Sequence, residues 1–207
     1  SGHAAFAEAS RERFLRPNEL APFFKALSAE ASASMRDFIL LALLTGARRS
    51  NVAAMTWTDL DLERAEWRVP GSVMKNGRAQ TITLTPEAVG VLRNRKAEQS
   101  LRQATGHKQT ERDKLMAPFV FPSTKSVSGH IEEPRKAWLR VLRASSLTDI
   151  TIHDLRRTLG SWQARTGASL VLIGKSLNHK DQQSTAIYAR LDLDPVRQSI
   201  ERATTAM

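Results

Sequence analysis

The chain is organised around one apolar segment, Met35-Arg36-Asp37-Phe38-Ile39-Leu40-Leu41-Ala42-Leu43-Leu44-Thr45-Gly46. Residues 35–44 would be apolar almost all round a helix, which is typical of a helix buried within a domain. Glycine adopts the left-handed backbone conformation without strain, so Gly46 is predicted to end the helix. The sequence therefore predicts a buried central helix.

Helical patterns flank this segment on both sides. The first ten or so residues are small and polar and are predicted to form a tail, whereas Pro17 suits the first turn of a helix. That helix carries an apolar stripe of Leu20, Phe23, Phe24 and Leu27. A short helix is predicted from Ser50 to Met55. Further helices are predicted at about 86–103, 131–144, 153–166, 169–177, 181–190 and 194–204.

The pattern changes to an alternation of period two at residues 65–70 and 80–84, which are rich in β-branched and aromatic residues. Asn76-Gly77 lies between them and is a strong turn signal, so we expect a β-hairpin or small sheet with Lys75 at its tip. Residues 119–122 are a candidate short strand, and the polar residues 104–117 are expected to form a loop. The predicted fold class is mainly α with a small antiparallel β-sheet or hairpin (α+β), with no internal linker.

Composition narrows the classes of function. The 207 residues include 31 Lys and Arg against 21 Asp and Glu, a formal net charge of +10 with a pI of about 10.6. This balance favours a polyanionic partner such as nucleic acid, although a generally basic soluble surface would explain it too. The absence of cysteine excludes disulfides, zinc–thiolate sites and thiol catalysis. The longest apolar run, Phe38–Leu44, is much shorter than the ~18 residues of a membrane span, and no signal peptide is visible, so we expect a cytoplasmic protein, nucleoid-associated in a bacterium.

Two segments concentrate residues that suit phosphate chemistry. In the helix near residue 153, the positions expected to face the core are Leu155, Leu159 and Trp162. His153, Arg156 and Gly160 then share another face, where Gly160 would let a large partner approach the backbone. Arg157 lies close to this face, and periodicity does not choose between the two arginines. An ordinary exposed basic face capped by His153 is the alternative.

The second segment holds the only tyrosine of the chain, Tyr188, nine residues after His179. A phenol near two histidines and several arginines is suited to attack a phosphodiester. Arg48 follows the Thr45-Gly46 turn, and arginine matches two phosphate oxygens through its planar guanidinium. Taken one at a time, these residues have plainer explanations: helix-end contacts for Arg48 and His179, a solvated Lys75, and a tyrosine at the edge of the core.

Together, these segments resemble the tyrosine recombinase (phage integrase) family from about Phe14 to Ile200. The family pattern of Arg, Lys, His-x-x-Arg, His or Trp, and Tyr is matched in order and spacing by Arg48, Lys75, His153, Arg156, His179 and Tyr188. The resemblance implies a catalytic domain over residues 14–193, preceded by a tail at 1–13 that is partly a tag remnant. Residues 194–207 would form a C-terminal helix and tail that docks on another subunit. The family's N-terminal core-binding domain is not expected in this chain.

The resemblance also implies a mechanism. Tyr188 would become bonded to a DNA 3′-phosphate while a 5′-hydroxyl leaves, with Arg48, Arg156 and His179 holding the phosphate oxygens. Lys75 would protonate the leaving oxygen, and His153 would assist proton transfer or orient the phosphate. No metal, ATP or other cofactor is expected. The function implied is site-specific integration or excision of a prophage or mobile element.

The implied partner is double-stranded DNA, bound by a homotetramer, with the isolated domain able to be monomeric. Four basic residues are candidates for DNA contact: Arg49, Arg78, Arg157 and Lys180. Basic segments at 93–96, 102–114 and 135–143 are further candidates for contacts with the DNA backbone.

One position departs from the family pattern. Many members carry an acidic residue three positions after the first arginine, where this chain has Asn51, an amide that can hydrogen-bond but cannot ionise. Asn51 leaves open a catalytically impaired DNA-binding module. A type IB topoisomerase-like enzyme would use the same chemistry on one duplex, and a metal-dependent nuclease is a further alternative.

Overall fold

The structure is a computed structural model that describes residues 13–74, 77–104, 110–179, 183–191 and 194–206. Its helices are α1 Pro17–Ser28, α2 Ala33–Thr45, α3 Arg49–Ala53, α4 Pro86–Ala104, α5 Glu111–Met116, α6 Arg135–Ala144, α7 Ile152–Arg165, α8 Leu170–Leu177, α9 Gln183–Leu191 and α10 Asp194–Ala206. Its strands are β1 Leu60–Asp61, β2 Glu66–Val69 and β3 Gln80–Thr83, and short 3₁₀ turns span Trp57–Asp59 and Gly71–Val73.

Helix α2 is the buried centre of the fold, as its apolar sequence predicts. Ser32 caps its N-terminus by accepting a hydrogen bond from the backbone N–H of Met35. Phe38 and Ile39 are fully buried, and α2 packs against α1, α3, α4, α6 and α7. Gly46 ends the helix in the left-handed conformation, with φ of +59°, so the predicted stop is confirmed.

The predicted hairpin is confirmed as part of a three-stranded antiparallel sheet in the order β1-β2-β3. Trp67 of β2 pairs with Ile82 of β3, and both side chains are buried on one face of the sheet. The two-residue strand β1 was not predicted, because it is too short to show an alternation. Lys75 and Asn76 lie outside the described residues, so the tip of the hairpin stays a prediction.

Several predicted elements are corrected by the structure. Residues 111–116 form α5 rather than a loop, since Thr110 and Asp113 cap one another reciprocally and start a helix that needs no apolar stripe. Residues 119–122 make only isolated bridges, Thr56 to Phe119 and Pro122 to His130, rather than a strand. Helix α6 begins at Arg135 instead of about 131, directly after Pro134. Phe24 is 41% exposed and does not belong to the buried stripe of α1.

A second, smaller cluster positions the candidate site. Ile173, Leu177 and Tyr188 are buried together, with half-buried Leu159 of α7 packed against them. This cluster joins α7, α8 and α9; α7 and α9 carry His153, Arg156 and Tyr188 of the family pattern, and His179 directly follows the end of α8. Along the part of the chain that the structure describes, none of the helices combines the length and hydrophobicity needed to cross a membrane.

Candidate active site

Arg156 of α7 is the central cation of the site. Its Nη1 donates a hydrogen bond of 2.6 Å to the carbonyl of Gly46 at the end of α2, and its Nη2 donates to the carbonyl of Leu177 at the end of α8. These carbonyls lie at helix C-termini, where backbone acceptors have no partner within the helix and the helix dipole is negative. Arg156 therefore ties the ends of α2 and α8 to the middle of α7.

Burial lowers the pKa of Arg156 to about 10, helped by the nearby positive charge of Arg48. Arg156 is 8% exposed, yet within the described ranges its partners are carbonyls and no carboxylate pairs with it. It still carries its full charge at neutral pH. A buried cation without a counter-charge favours the binding of an anion at this point.

Arg48 is the second cation of the site and lies directly before α3, two residues after the Gly46 turn. Its side chain is half-buried and has no hydrogen bond or ion pair to any described residue. Its positive charge lowers the pKa of both Arg156 and His153. The helix-end carbonyl contact that would explain an arginine here belongs to Arg156 instead, so none of the described residues competes with a ligand for Arg48.

The structure distinguishes Arg156 from Arg157, which helical periodicity alone does not. Arg157 donates a hydrogen bond of 2.6 Å from Nη1 to Oδ1 of Asp154, a fully buried carboxylate. The other oxygen of Asp154 accepts hydrogen bonds of 2.8 Å from the backbone N–H and hydroxyl of Thr151, which caps α7. The Asp154 carboxylate is therefore engaged in starting the helix and holding Arg157.

His153 lies in the first turn of α7, with its side chain exposed at the surface. Partial desolvation by the surrounding protein is the largest cause that lowers its pKa below the usual 6.5. The charges of Arg157, Arg156 and Arg48 lower it further, and Asp154 opposes them. The imidazole is therefore neutral at pH 7 and able to accept a proton.

Tyr188 is 2% exposed and packs directly on the backbone of α7 at Gly160. A Cβ atom added to Gly160 would lie 2.5 Å from Cζ and 2.7 Å from Cε1 of the tyrosine ring. The sequence predicts that Gly160 admits a large partner, and the structure identifies this partner as the ring of Tyr188. Burial raises the pKa of the phenol above 10, and the charges of Arg156 and Arg157 oppose that shift.

His179 stands beside the tyrosine ring. Asn178 ends α8 with φ of +51°, a left-handed conformation that asparagine tolerates, and this turn brings His179 back towards α9. The two rings are almost parallel, at an angle of 5° with centroids 6.0 Å apart. Nδ1 of His179 lies 2.8 Å from the hydroxyl of Thr185, a contact that sequence reasoning missed although Thr185 and Tyr188 are three residues apart on one face of α9.

The structure thus brings together five residues of the family pattern, Arg48, His153, Arg156, His179 and Tyr188, while Lys75 lies outside the described residues. Asn51 is 4% exposed and directs Nδ2 to within 3.3 Å of Sδ of Met74, so its amide is held inside the domain.

Of the candidate DNA contacts, Arg49 is exposed and pairs with Glu133 at 2.9 Å. Arg78 is exposed next to β3, and Lys180 lies outside the described residues.

The burial of Tyr188 makes a prediction that needs no variant. Because the chain has one tyrosine, an alkaline titration followed by phenolate absorbance reports on Tyr188 alone. We expect a midpoint above 10 in the folded protein and one near ~10 in the denatured chain. Because the pKa of Tyr188 is raised in the folded protein, the buried phenol stabilises the folded state fully below pH ~10. This contribution is lost as the pH rises through the folded pKa. A folded midpoint at or below 10 would contradict a site in which the burial of Tyr188 outweighs the charges of Arg156 and Arg157.

Comparison with known proteins agrees with this geometry. The model of the phage integrase family matches residues 13–194. Prophage integrase IntF of Escherichia coli (strain K12) is 28% identical over 192 residues, an alignment that covers 92% of this chain and 38% of that protein. The chain thus spans well under two thirds of this relative.

Solved structures of integrases share the fold. The catalytic domain of bacteriophage HP1 integrase matches with a TM-score of 0.61 at 16% identity, covering 91% of this chain and 93% of that one. A Tn1549 transposon integrase solved with a circular intermediate DNA matches with a TM-score of 0.72 at 18% identity, covering 96% and 68%. The chain belongs to the phage integrase family of tyrosine recombinases, and its fold is that of their catalytic domains.

Proposed function

We propose that this chain is a catalytic domain that cuts and rejoins DNA strands through a covalent 3′-phosphotyrosyl intermediate, with Tyr188 as the nucleophile. The observation that carries the proposal is the position of this phenol. It is docked on Gly160 and stacked beside His179, and it feels the charge of Arg156, a buried cation that has only carbonyl partners among the described residues. A phosphodiester placed there would meet a nucleophile and a cation together.

Arg48 and Arg156 would hold the non-bridging oxygens of the phosphate. The negative charge on these oxygens grows as the phenol attacks, so donors already fixed in place stabilise the transition state more than the ground state. Arg156 is fixed by the carbonyls of Gly46 and Leu177. Loss of one such donor typically raises the barrier by about 3 kcal/mol.

The proton balance assigns roles to the remaining groups. A tyrosine phenol has an ordinary pKa near ~10, and burial raises that of Tyr188 further, so the phenol is protonated at neutral pH and attack requires a proton acceptor. His153 is neutral at pH 7 and is proposed to assist that transfer. As the bond from the Tyr188 oxygen to phosphorus forms, the bond from phosphorus to the 5′-oxygen breaks, and Lys75 is proposed to protonate the leaving oxygen. The phosphotyrosyl bond keeps the energy of the broken phosphodiester, so rejoining needs no ATP.

Double-stranded DNA is the proposed substrate. The net charge of +10 supports a polyanionic partner, and the structurally similar Tn1549 integrase was solved with DNA. Likeness to a prophage integrase supports a role in moving a prophage or another mobile element within the cytoplasm. We further propose that residues 14–193 are the catalytic unit, that 194–207 reach another subunit, and that four subunits act together on DNA.

A covalent-adduct assay tests this function without knowledge of the target site. The protein is incubated with a pool of nicked duplexes whose sequence around the nick is randomised, so that the short fragment released by cleavage diffuses away and the adduct persists. We expect a denaturant-resistant adduct that carries the DNA strand by its 3′ end and that forms in the presence of EDTA. No adduct with any member of the pool would point to an impaired DNA-binding module, and cleavage abolished by EDTA would point to a metal-dependent nuclease.

A further inference from the structure

Thr185 is a buried residue of the site to which the mechanism above gives no role. It lies on α9 one turn before Tyr188, and its side chain is 3% exposed. Its hydroxyl oxygen is 2.8 Å from Nδ1 of His179. On its other side the same oxygen faces α8, 3.1 Å from the point where a Cβ of Gly174 would lie. The hydroxyl is thus confined between α8 and the imidazole.

The direction of this hydrogen bond decides what His179 can do. In a neutral imidazole one nitrogen carries the proton and the other accepts, and the partner of one nitrogen fixes the role of the other. If the Thr185 hydroxyl donates to Nδ1, the proton lies on Nε2, which becomes a donor. If Nδ1 carries the proton instead, Nε2 presents a lone pair. A phosphate oxygen is an acceptor, so only the first arrangement suits it.

We propose that Thr185 is a positioning residue whose hydroxyl donates to Nδ1 of His179 and fixes the proton on Nε2. This inference rests on the proposed function, in which His179 donates to the phosphate. Thr185 and Tyr188 are three residues apart and are buried on the same face of α9. Docking of α9 therefore positions Tyr188 and orients His179 in a single step. If α9 were displaced, both the position of Tyr188 and the orientation of His179 would be lost.

The tautomer can be measured without DNA by nitrogen NMR of the histidine rings, with His179→Gln used to assign the signal. We expect the neutral imidazole of His179 in the wild-type protein to carry its proton on Nε2. Thr185→Val keeps the branched shape but removes the hydroxyl, so we expect a mixture of the two His179 tautomers. Thr185→Ser keeps a hydroxyl and should restore the single tautomer with the proton on Nε2. A proton on Nδ1 in the wild type would overturn the proposal.

Adduct formation is the second readout. We expect Thr185→Val to slow the adduct by roughly tenfold, the typical effect of one lost hydrogen bond, and Thr185→Ser to recover most of the rate. Thr158→Val is the matched control, because it also deletes a buried hydroxyl, one that accepts from the backbone N–H of Leu15 at 2.9 Å. It should lower the thermal stability and leave the His179 tautomer unchanged.

The outcomes separate the two proposals. Wild-type speed in Thr185→Val, or equal slowing in Thr185→Val and Thr185→Ser, would contradict the role of the hydroxyl. Absence of any adduct in the wild-type protein would contradict the proposed function instead, and the NMR result would still show whether Thr185 sets the tautomer.

Discussion

Tyr188→Phe is expected to abolish the covalent protein–DNA adduct, a loss of more than about 10⁴-fold, as is typical when a nucleophile is removed. The substitution removes one oxygen and keeps the ring that packs on Gly160 and lies parallel to His179. We therefore expect the variant to fold and to bind DNA as the wild type does. The chain has no second tyrosine, so no other phenol can take over the attack.

The assay for this variant is the randomised nicked-duplex pool, with DNA binding measured in parallel by gel shift. Binding at wild-type strength without adduct is the expected pair of results. An adduct that forms at a normal rate would mean that another residue attacks, and the assignment of Tyr188 would be wrong.

Gly160→Ala is expected to slow adduct formation by about a hundredfold or more. The added methyl carbon would lie 2.5 Å from Cζ of the Tyr188 ring, so the ring must move by roughly 1 Å to reach ordinary contact, and displacements of this size in a reacting group can lower rates about 10²-fold. We also expect a loss of about 1–3 kcal/mol in the free energy of unfolding, as in other overpacked cores. The phenolate titration should move towards ~10 as the ring leaves its buried position.

Gly90→Ala is the matched control. Gly90 also lies within a helix, α4, but a Cβ there meets nothing within 4 Å. Alanine stabilises a helix interior relative to glycine by roughly 0.5–1 kcal/mol, so this variant should be slightly more stable and fully active. A Gly160→Ala protein with wild-type adduct rate and wild-type phenol titration would show that Tyr188 does not act from the docked position.

Much of this architecture could be predicted because its signals are local. The run of residues 35–44, apolar almost all round a helix, predicts α2. The Thr45-Gly46 stop predicts its end, and the alternation around Asn76-Gly77 predicts paired strands. Helix α5 escaped prediction because its stability comes from a reciprocal cap between Thr110 and Asp113, with no apolar stripe to reveal it. The position of Lys75, which the family pattern assigns to catalysis, stays a prediction.

The contacts that build the site are not local, and this is why sequence reasoning could not supply them. Arg156 and its acceptor Gly46 are 110 residues apart, and no helical periodicity distinguishes Arg156 from Arg157. The two arginines differ in their contacts because Asp154, three residues before Arg157, forms an ion pair with Arg157. Likewise, Gly160 indicates a close approach, but only the packing of α9 on α7 shows that the approaching group is Tyr188.

The buried phenol of Tyr188 is proposed to become bonded to DNA, and peptide mapping of the trapped adduct tests this bond most directly. Trypsin cuts after Lys180 and Arg190, which releases residues 181–190 as one peptide. This peptide also contains the hydroxyls of Ser184 and Thr185, so fragment ions must locate the modification. We predict a nucleotide attached through a 3′-phosphate to Tyr188. A nucleotide on Ser184, on Thr185 or on any other peptide would contradict the account.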